Sequence, residues 1–219
     1  MSFESQIEDR GVAEFPLFSG TRVLLMPFVI HDPETSLPNS LAHYRALVAR
    51  LCALVPSERG VGYVTIDEAL VRTGETHRRP GIHVDGVGAD GSQAAWGGGG
   101  GAWSGCGGML LASPHSGCRG WRQVFDGDPG LDGDCAHLAA ECRDDAVVDM
   151  LPNRAYWCNS LAVHEALPVR EDVRRQFIRV STPSRAPWYL GCTPNPLGIQ
   201  PTGPILPMRE AHLAYRSQA

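Results

Sequence analysis

The chain of 219 residues contains no lysine; all nineteen of its basic residues are arginine. That absence excludes a Schiff-base lysine, a pyridoxal-phosphate anchor and a phosphate-loop lysine. The seven cysteines include no Cys-x-x-Cys pair, and Cys106, Cys118, Cys135 and Cys142 are too irregularly spaced for a zinc knuckle. An odd cysteine count in a chain this long reads as free thiols in a reducing compartment. Long apolar runs are missing too: the longest, Val23 to Ile30, is interrupted by Pro27 and is too short to span a bilayer. The first ten residues lack the basic and apolar regions of a signal peptide, so a cytoplasmic location is expected. A formal net charge of -5 and a pI near 5.9 argue against nucleic-acid and anionic-membrane partners.

What is present reads as α+β, with helices early and many short strands later. Arg22 to Ile30 is an expected strand. Asn39 or Ser40 caps a helix through about Val55, with Leu41, Tyr44, Leu47, Val48, Leu51 and Leu54 on one stripe. Thr65-Ile66-Asp67-Glu68 has the form of a capping box and predicts a short helix ended by Gly74. Asp134 predicts the N-cap of a helix from about Cys135 to Arg143. Strand-length pieces follow at Gly81 to Asp85, Gly108 to Ala112, Trp121 to Phe125, Ala146 to Met150, Ala155 to Cys158, Leu161 to His164, Arg174 to Ser181 and Trp188 to Leu190. The expected organisation is one domain over 1–219. Residues 1–80 form a helical and strand support, 81–190 a jelly-roll core, and 191–219 a C-terminal tail. The glycine run from Trp96 to Trp103 reads as a loop between strands or, in the functional alternative, as a lid whose two Trp, Trp96 and Trp103, close over a substrate.

Chemistry is concentrated in two segments, Ile82-His83-Val84-Asp85-Gly86 and Leu161-Ala162-Val163-His164-Glu165. On a strand, residues i and i+2 face the same way, roughly 6 to 7 Å apart, so His83 and Asp85 can lean onto one cation. With eight His and thirteen Asp in the chain, roughly 0.5 His-x-Asp matches arise by chance, so the pair needs support from elsewhere. His164 supplies a third ligand. The strand-like run Arg174 to Ser181 supplies more, because period two puts Arg175, Phe177, Arg179 and Ser181 on one face. An arginine inside a sandwich calls for an anion.

A His-x-Asp, a distal His and an Arg eleven residues beyond it resemble the signature of the iron(II)- and 2-oxoglutarate-dependent oxygenases. The spacing is nearest to the phytanoyl-CoA hydroxylase and taurine dioxygenase branches. The resemblance covers His83 to Ser181 and implies a double-stranded β-helix of cupin-like form. It makes His83, Asp85 and His164 the ligands of Fe(II), with Arg175, or Arg174 in competition with it, binding the distal carboxylate of 2-oxoglutarate. Arg179 is similar in position to a substrate-anion ligand of the taurine branch; Arg119 or Arg122 can join it. Ser181 and Trp103 complete the expected substrate contacts. Dioxygen is the implied co-substrate and the implied reaction is hydroxylation or desaturation; the substrate, whose identity the resemblance does not carry over, is expected to be a small polar metabolite of natural-product biosynthesis. Because Asp85 fills the carboxylate position, no vacancy is left for the chloride of a halogenase. Two other readings stay open. One is an iron oxygenase of the same fold whose substrate chelates the metal without 2-oxoglutarate. The other is a cupin-like metal-binding isomerase or binding protein.

Overall fold

The computed structural model describes residues 2–54, 60–85, 108–181, 188–203 and 205–207. In chain order the strands and helices are β1 (Ser2–Ser5), β2 (Ile7–Val12), β3 (Arg22–Val29), α1 (Pro33–Ser36), α2 (Arg45–Cys52) and β4 (Val61–Val71). Then come β5 (Met109–Ser113), β6 (Cys118–Trp121), β7 (Gln123–Asp126), β8 (Val147–Asp149), β9 (Arg154–Cys158), β10 (His164–Ala166), β11 (Val173–Ser181), β12 (Trp188–Tyr189) and β13 (Ile205–Leu206). The fold is α+β and sheet-rich. Every described strand pairing is antiparallel except β12 with β13.

The main sheet has six strands in the order β2-β9-β5-β11-β4-β3, and a smaller sheet runs β10-β6-β8. Ile7, Met109, Leu111, Tyr156, Cys158 and Phe177 from the main sheet share one buried cluster with Met150, Ala162, Cys118 and Val148 from in and around the small one. That shared core sets the two sheets face to face. The other face of the main sheet packs on the helices, where Leu41, Tyr44, Leu47, Val48 and Leu51 join Val64, Ile66, Ile178 and Val180. Each such side chain, fully buried, contributes roughly 1.5–3 kcal/mol. The expected helical stripe is therefore real, although its first turns, Asn39–Tyr44, are 3-10 rather than α.

Three expectations fail. Thr65 to Glu68 is no capping box: β4 runs through it, hydrogen-bonded to β3 on one side and β11 on the other. Alternation explains why. Val64 and Ile66 face the helices, Asp67 faces the opposite way, and Glu68, turned toward α2, takes Tyr44 and Gln176 as donors at 2.6 and 2.8 Å. Two-sided sheet pairing overrides a local cap pattern here. Trp121 to Phe125 is not one strand; the chain breaks at Arg122, whose amide donates to Ala146 O, so β6 and β7 enter different sheets. The third is a regular helix after Asp134; residues 1–80 supply helices and also β2, β3 and β4, half of the main sheet. The segment after Asp134 is a 3-10 helix, Ala136–Glu141, with Asp134 Oδ1 accepting from the Ala136 amide. The glycine run and Cys106 lie outside the described residues.

Candidate metal centre

His83 and His164 are opposite each other on neighbouring extended segments. The His83 amide donates to His164 O at 2.9 Å and the His164 amide to His83 O at 3.0 Å. Directly opposed residues of an antiparallel pair send their side chains to the same face, and the two rings lie with centroids 4.5 Å apart. His164 begins β10, while His83 forms two isolated bridges, to His164 and to Asp134, rather than the full strand expected over Gly81 to Asp85. Its other edge is fixed by Gly133. The Val84 amide donates to Gly133 O at 2.8 Å, and a Cβ on Gly133, which has φ +75°, would lie 2.0 Å from Val84 O. Only glycine fits there.

Asp85 lies two residues on. One donor atom from each of His83, Asp85 and His164 can be chosen such that all lie within 4.8 Å of one another. Ligands at about 2.1 Å on adjacent octahedral positions sit roughly 3 Å apart, so modest side-chain rotation brings the set onto one ion. The ring protons favour this. His83 Nδ1 lies 2.7 Å from Gly81 O and His164 Nδ1 2.8 Å from Ala162 O, and donation there leaves each Nε2 lone pair for a metal. Burial above all holds the His83 pKa down to about 3, so the ring stays neutral. Burial works to raise the Asp85 pKa, but the Arg179 guanidinium foremost keeps the carboxyl ionised. Two imidazoles with Nε2 turned from their backbone hydrogen bonds and one carboxylate are the donor set suited to a divalent transition metal with open positions.

The triad lines a cavity of about 410 Å³ between the sheets. Its floor includes one face of β11, where Arg175, Phe177 and Arg179 line the space as period two requires. Arg179 Nη1 donates to Asp85 Oδ2 at 2.9 Å. Arg175 is wholly buried, and its one hydrogen bond from Nη2 goes to Cys118 Sγ at 3.4 Å; Nε and Nη1 have no hydrogen-bond partner among the described residues. Among the described residues no carboxylate meets it. Gly117 leaves just enough room, since a Cβ there would stand 3.4 Å from the guanidinium carbon.

The remaining expected residues are placed elsewhere. Arg174 is exposed on the other face of β11, its guanidinium carbon 5.8 Å from the Phe18 ring centre, so it does not compete for the cavity. Ser181 is buried between Tyr63 and Met109 and does not line the space. Arg119 pairs with Glu165 at 2.7 Å, and neither it nor Arg122 reaches the cavity wall. Trp103 lies outside the described residues. Position in the fold also revises the expectation for Arg179, which is occupied with Asp85 and so positions a ligand.

Sequence reasoning missed a second polar cluster in the same wall. Asp67 is buried and receives Arg22 Nε at 3.1 Å and Arg78 Nη1 at 2.7 Å, with His77 Nε2 3.5 Å away. The misread capping box hid Asp67. The run His77-Arg78-Arg79-Pro80, just ahead of His83, was the available signal. Comparison with protein-family models, curated proteins and solved structures finds no match to this chain. Among the described residues no helix is long and apolar enough to cross a membrane.

Proposed function

We propose that the protein is a non-haem iron(II) oxygenase that uses 2-oxoglutarate, and that its facing sheets are the double-stranded β-helix of that superfamily. The observation that carries the reading is the joint presence, in one cavity, of the His83, Asp85 and His164 donors and a buried Arg175 that meets no carboxylate among the described residues. A buried lone cation costs several kcal/mol, and an anionic ligand with a carboxylate to offer removes that cost. Arg175 is also of the residue type that grips carboxylates by two parallel hydrogen bonds.

Iron(II) held by the three side chains would supply activation of dioxygen coupled to oxidative decarboxylation of 2-oxoglutarate. The chain's own groups do the rest. Gly81 O and Ala162 O hold the two imidazoles in the tautomer with Nε2 unprotonated. Arg179 orients the Asp85 carboxylate and keeps it charged. Arg175 fixes the far end of the co-substrate, and Leu111, Met150, Tyr156 and Phe177 give the cavity apolar walls that exclude water. The substrate is a small molecule, and hydroxylation or desaturation is the outcome an aspartate ligand favours.

Anaerobic addition of iron(II) and then 2-oxoglutarate tests the reading. A weak visible charge-transfer band is expected in the wild-type protein and in Arg174→Ala, and is expected to be lost in Arg175→Ala. No band in the wild type, or a band that survives Arg175→Ala unchanged, contradicts it. Oxygen uptake without succinate would instead favour an oxygenase whose substrate chelates the metal.

A further inference from the structure

Arg175 and Cys118 meet in the cavity wall from opposite sheets. Arg175 stands on β11 of the main sheet and Cys118 opens β6 of the small one, and Nη2 of the guanidinium donates to Sγ at 3.4 Å. The guanidinium is wholly buried, and its Nε and Nη1 have no hydrogen-bond partner among the described residues. A thiol sulfur is a weak acceptor for the one donor that is engaged. The next residue back is Gly117, and a Cβ there would stand 3.4 Å from the guanidinium carbon, so the two groups are closely confined.

Cys118 differs from the other described cysteines in where its sulfur lies. It is half-buried and lines the cavity, and no other described cysteine does. Burial pushes the Cys52 and Cys135 thiols up to about 12, and pushes those of Cys142 and Cys158 up as well; Cys192 is buried. Thiols so placed are inert, because the thiolate is the nucleophile. A sulfur in the wall of a cavity that admits small molecules, held against a buried cation that meets no carboxylate, is a setting in which oxidation of the sulfur supplies the missing anion.

We propose that Cys118 is an oxidisable thiol that governs the anion site of Arg175, with hydrogen peroxide as the oxidant. In the first step a sulfur–oxygen bond forms as the peroxide bond breaks. Sulfur gives up two electrons, the thiol proton leaves with the departing hydroxide as water, and the product is the sulfenic acid. A second peroxide repeats the exchange to give the sulfinic acid, which sheds its proton to solvent. The sulfinate offers two oxygens to the donors of Arg175, as a carboxylate does, and a ligand anion is thereby excluded. Thiols reverse the first stage and not the second. That the excluded anion is 2-oxoglutarate rests on the oxygenase reading; that the oxidised sulfur pairs with Arg175 rests on their contact.

Peroxide treatment of the full chain, with a chelator present so that no iron decomposes the oxidant, tests this. Dimedone trapping with peptide mapping is expected to label Cys118 at least about tenfold faster than Cys52, Cys135 or Cys158. Once mass spectrometry shows the sulfinate, the thermal midpoint of the wild-type protein is expected to rise by about 2–4 °C, because the buried cation has gained a counter-charge. Arg175→Met and Cys118→Ala proteins, each shown to be folded by circular dichroism and treated alike, are expected to show no rise. Labelling of Cys118 no faster than the buried thiols, a wild-type midpoint that stays or falls, or an equal rise in Arg175→Met overturns the proposal. Calorimetric titration of the iron(II)-loaded protein with 2-oxoglutarate, before and after oxidation, keeps the two proposals apart. An affinity that drops about tenfold or more on oxidation supports both. No binding before oxidation contradicts the oxygenase reading, while the rise in midpoint still supports the pairing. Binding that oxidation leaves intact overturns control of the site by Cys118.

Discussion

Arg179 and Asp85 form a buried ion pair, with Nη1 2.9 Å from Oδ2, inside a group of side chains arranged to hold a metal. A carboxylate that could take a metal ion is thus kept charged and in place by a fixed cation. The guanidinium acts through Asp85 and is a positioning residue.

Removing the carboxylate while keeping its shape exposes that dependence. Asp85→Asn leaves Arg179 buried without its charged partner, and stability is expected to fall by about 3–5 kcal/mol. Urea denaturation of the metal-free protein reads the change. A loss below about 1 kcal/mol would show that the pair is solvated and that Arg179 does not depend on Asp85.

Arg175 makes the opposite prediction. Its charge is buried and paired with no carboxylate among the described residues, so Arg175→Met is expected to stabilise the ligand-free protein, by about 1–4 kcal/mol, while 2-oxoglutarate affinity falls at least a hundredfold. Denaturation and calorimetry on the same variant check both. Destabilisation together with unchanged 2-oxoglutarate binding contradicts the assignment of this arginine to an anion.

Much of this site was legible in the chain, and the gaps have physical causes. His83 and Asp85 are close in sequence, and Arg175 shares a strand period with Arg179, so local spacing displayed them. The pairing of His83 with His164 across the sheet is a non-local contact that no spacing encodes. Arg174 and Arg175 were equivalent until β11 had a register, because a shift of one residue exchanges the two faces. Asp67 was lost because Thr65 to Glu68 satisfies a helix-start pattern that sheet pairing overrules. The polar strands β1 and β2 escaped notice because they lack an apolar alternation, yet Ser5 Oγ receives the Val163 amide beside His164 at 2.9 Å. In the main sheet, strand order is set by burial of both faces, which composition does not announce.

Acid should weaken the metal-free fold in two stages. Burial lowers the His83 pKa to about 3 and lowers that of His77, so the folded state takes up fewer protons than an unfolded chain whose histidines titrate near 6.5. Stability is therefore full above about pH 6.5 and declines as the pH falls toward the folded values. Burial would raise Glu68, but donors from Tyr44, the Ser19 and Thr21 amides and Gln176 hold it below the usual carboxylate range. Its contribution is present above about pH 4.3 and is lost as the pH falls further. Urea midpoints from pH 8 to 3 are expected to be flat, then to fall in these windows, with Glu68→Gln removing part of the lower one. A midpoint that rises on acidification through pH 6 contradicts the neutral, buried His83.

Gly133→Ala is expected to disturb the site from a distance. The added methyl would meet Val84 O at 2.0 Å on a backbone with φ +75°, so the segment carrying His83 and Asp85 must move. Stability is expected to fall by at least about 2 kcal/mol, and metal affinity with it. Unchanged metal affinity in a folded Gly133→Ala protein would show that this backbone contact does not place the ligands.

The most direct measurement is anaerobic titration of iron(II) into wild-type, His83→Ala, Asp85→Ala and His164→Ala proteins, with folding of each checked by circular dichroism. One ion per chain is expected for the wild type, with affinity falling at least a hundredfold in each folded variant. A wild-type chain that takes up no iron, or three variants that bind it as the wild type does, contradicts the claim that these side chains share one metal.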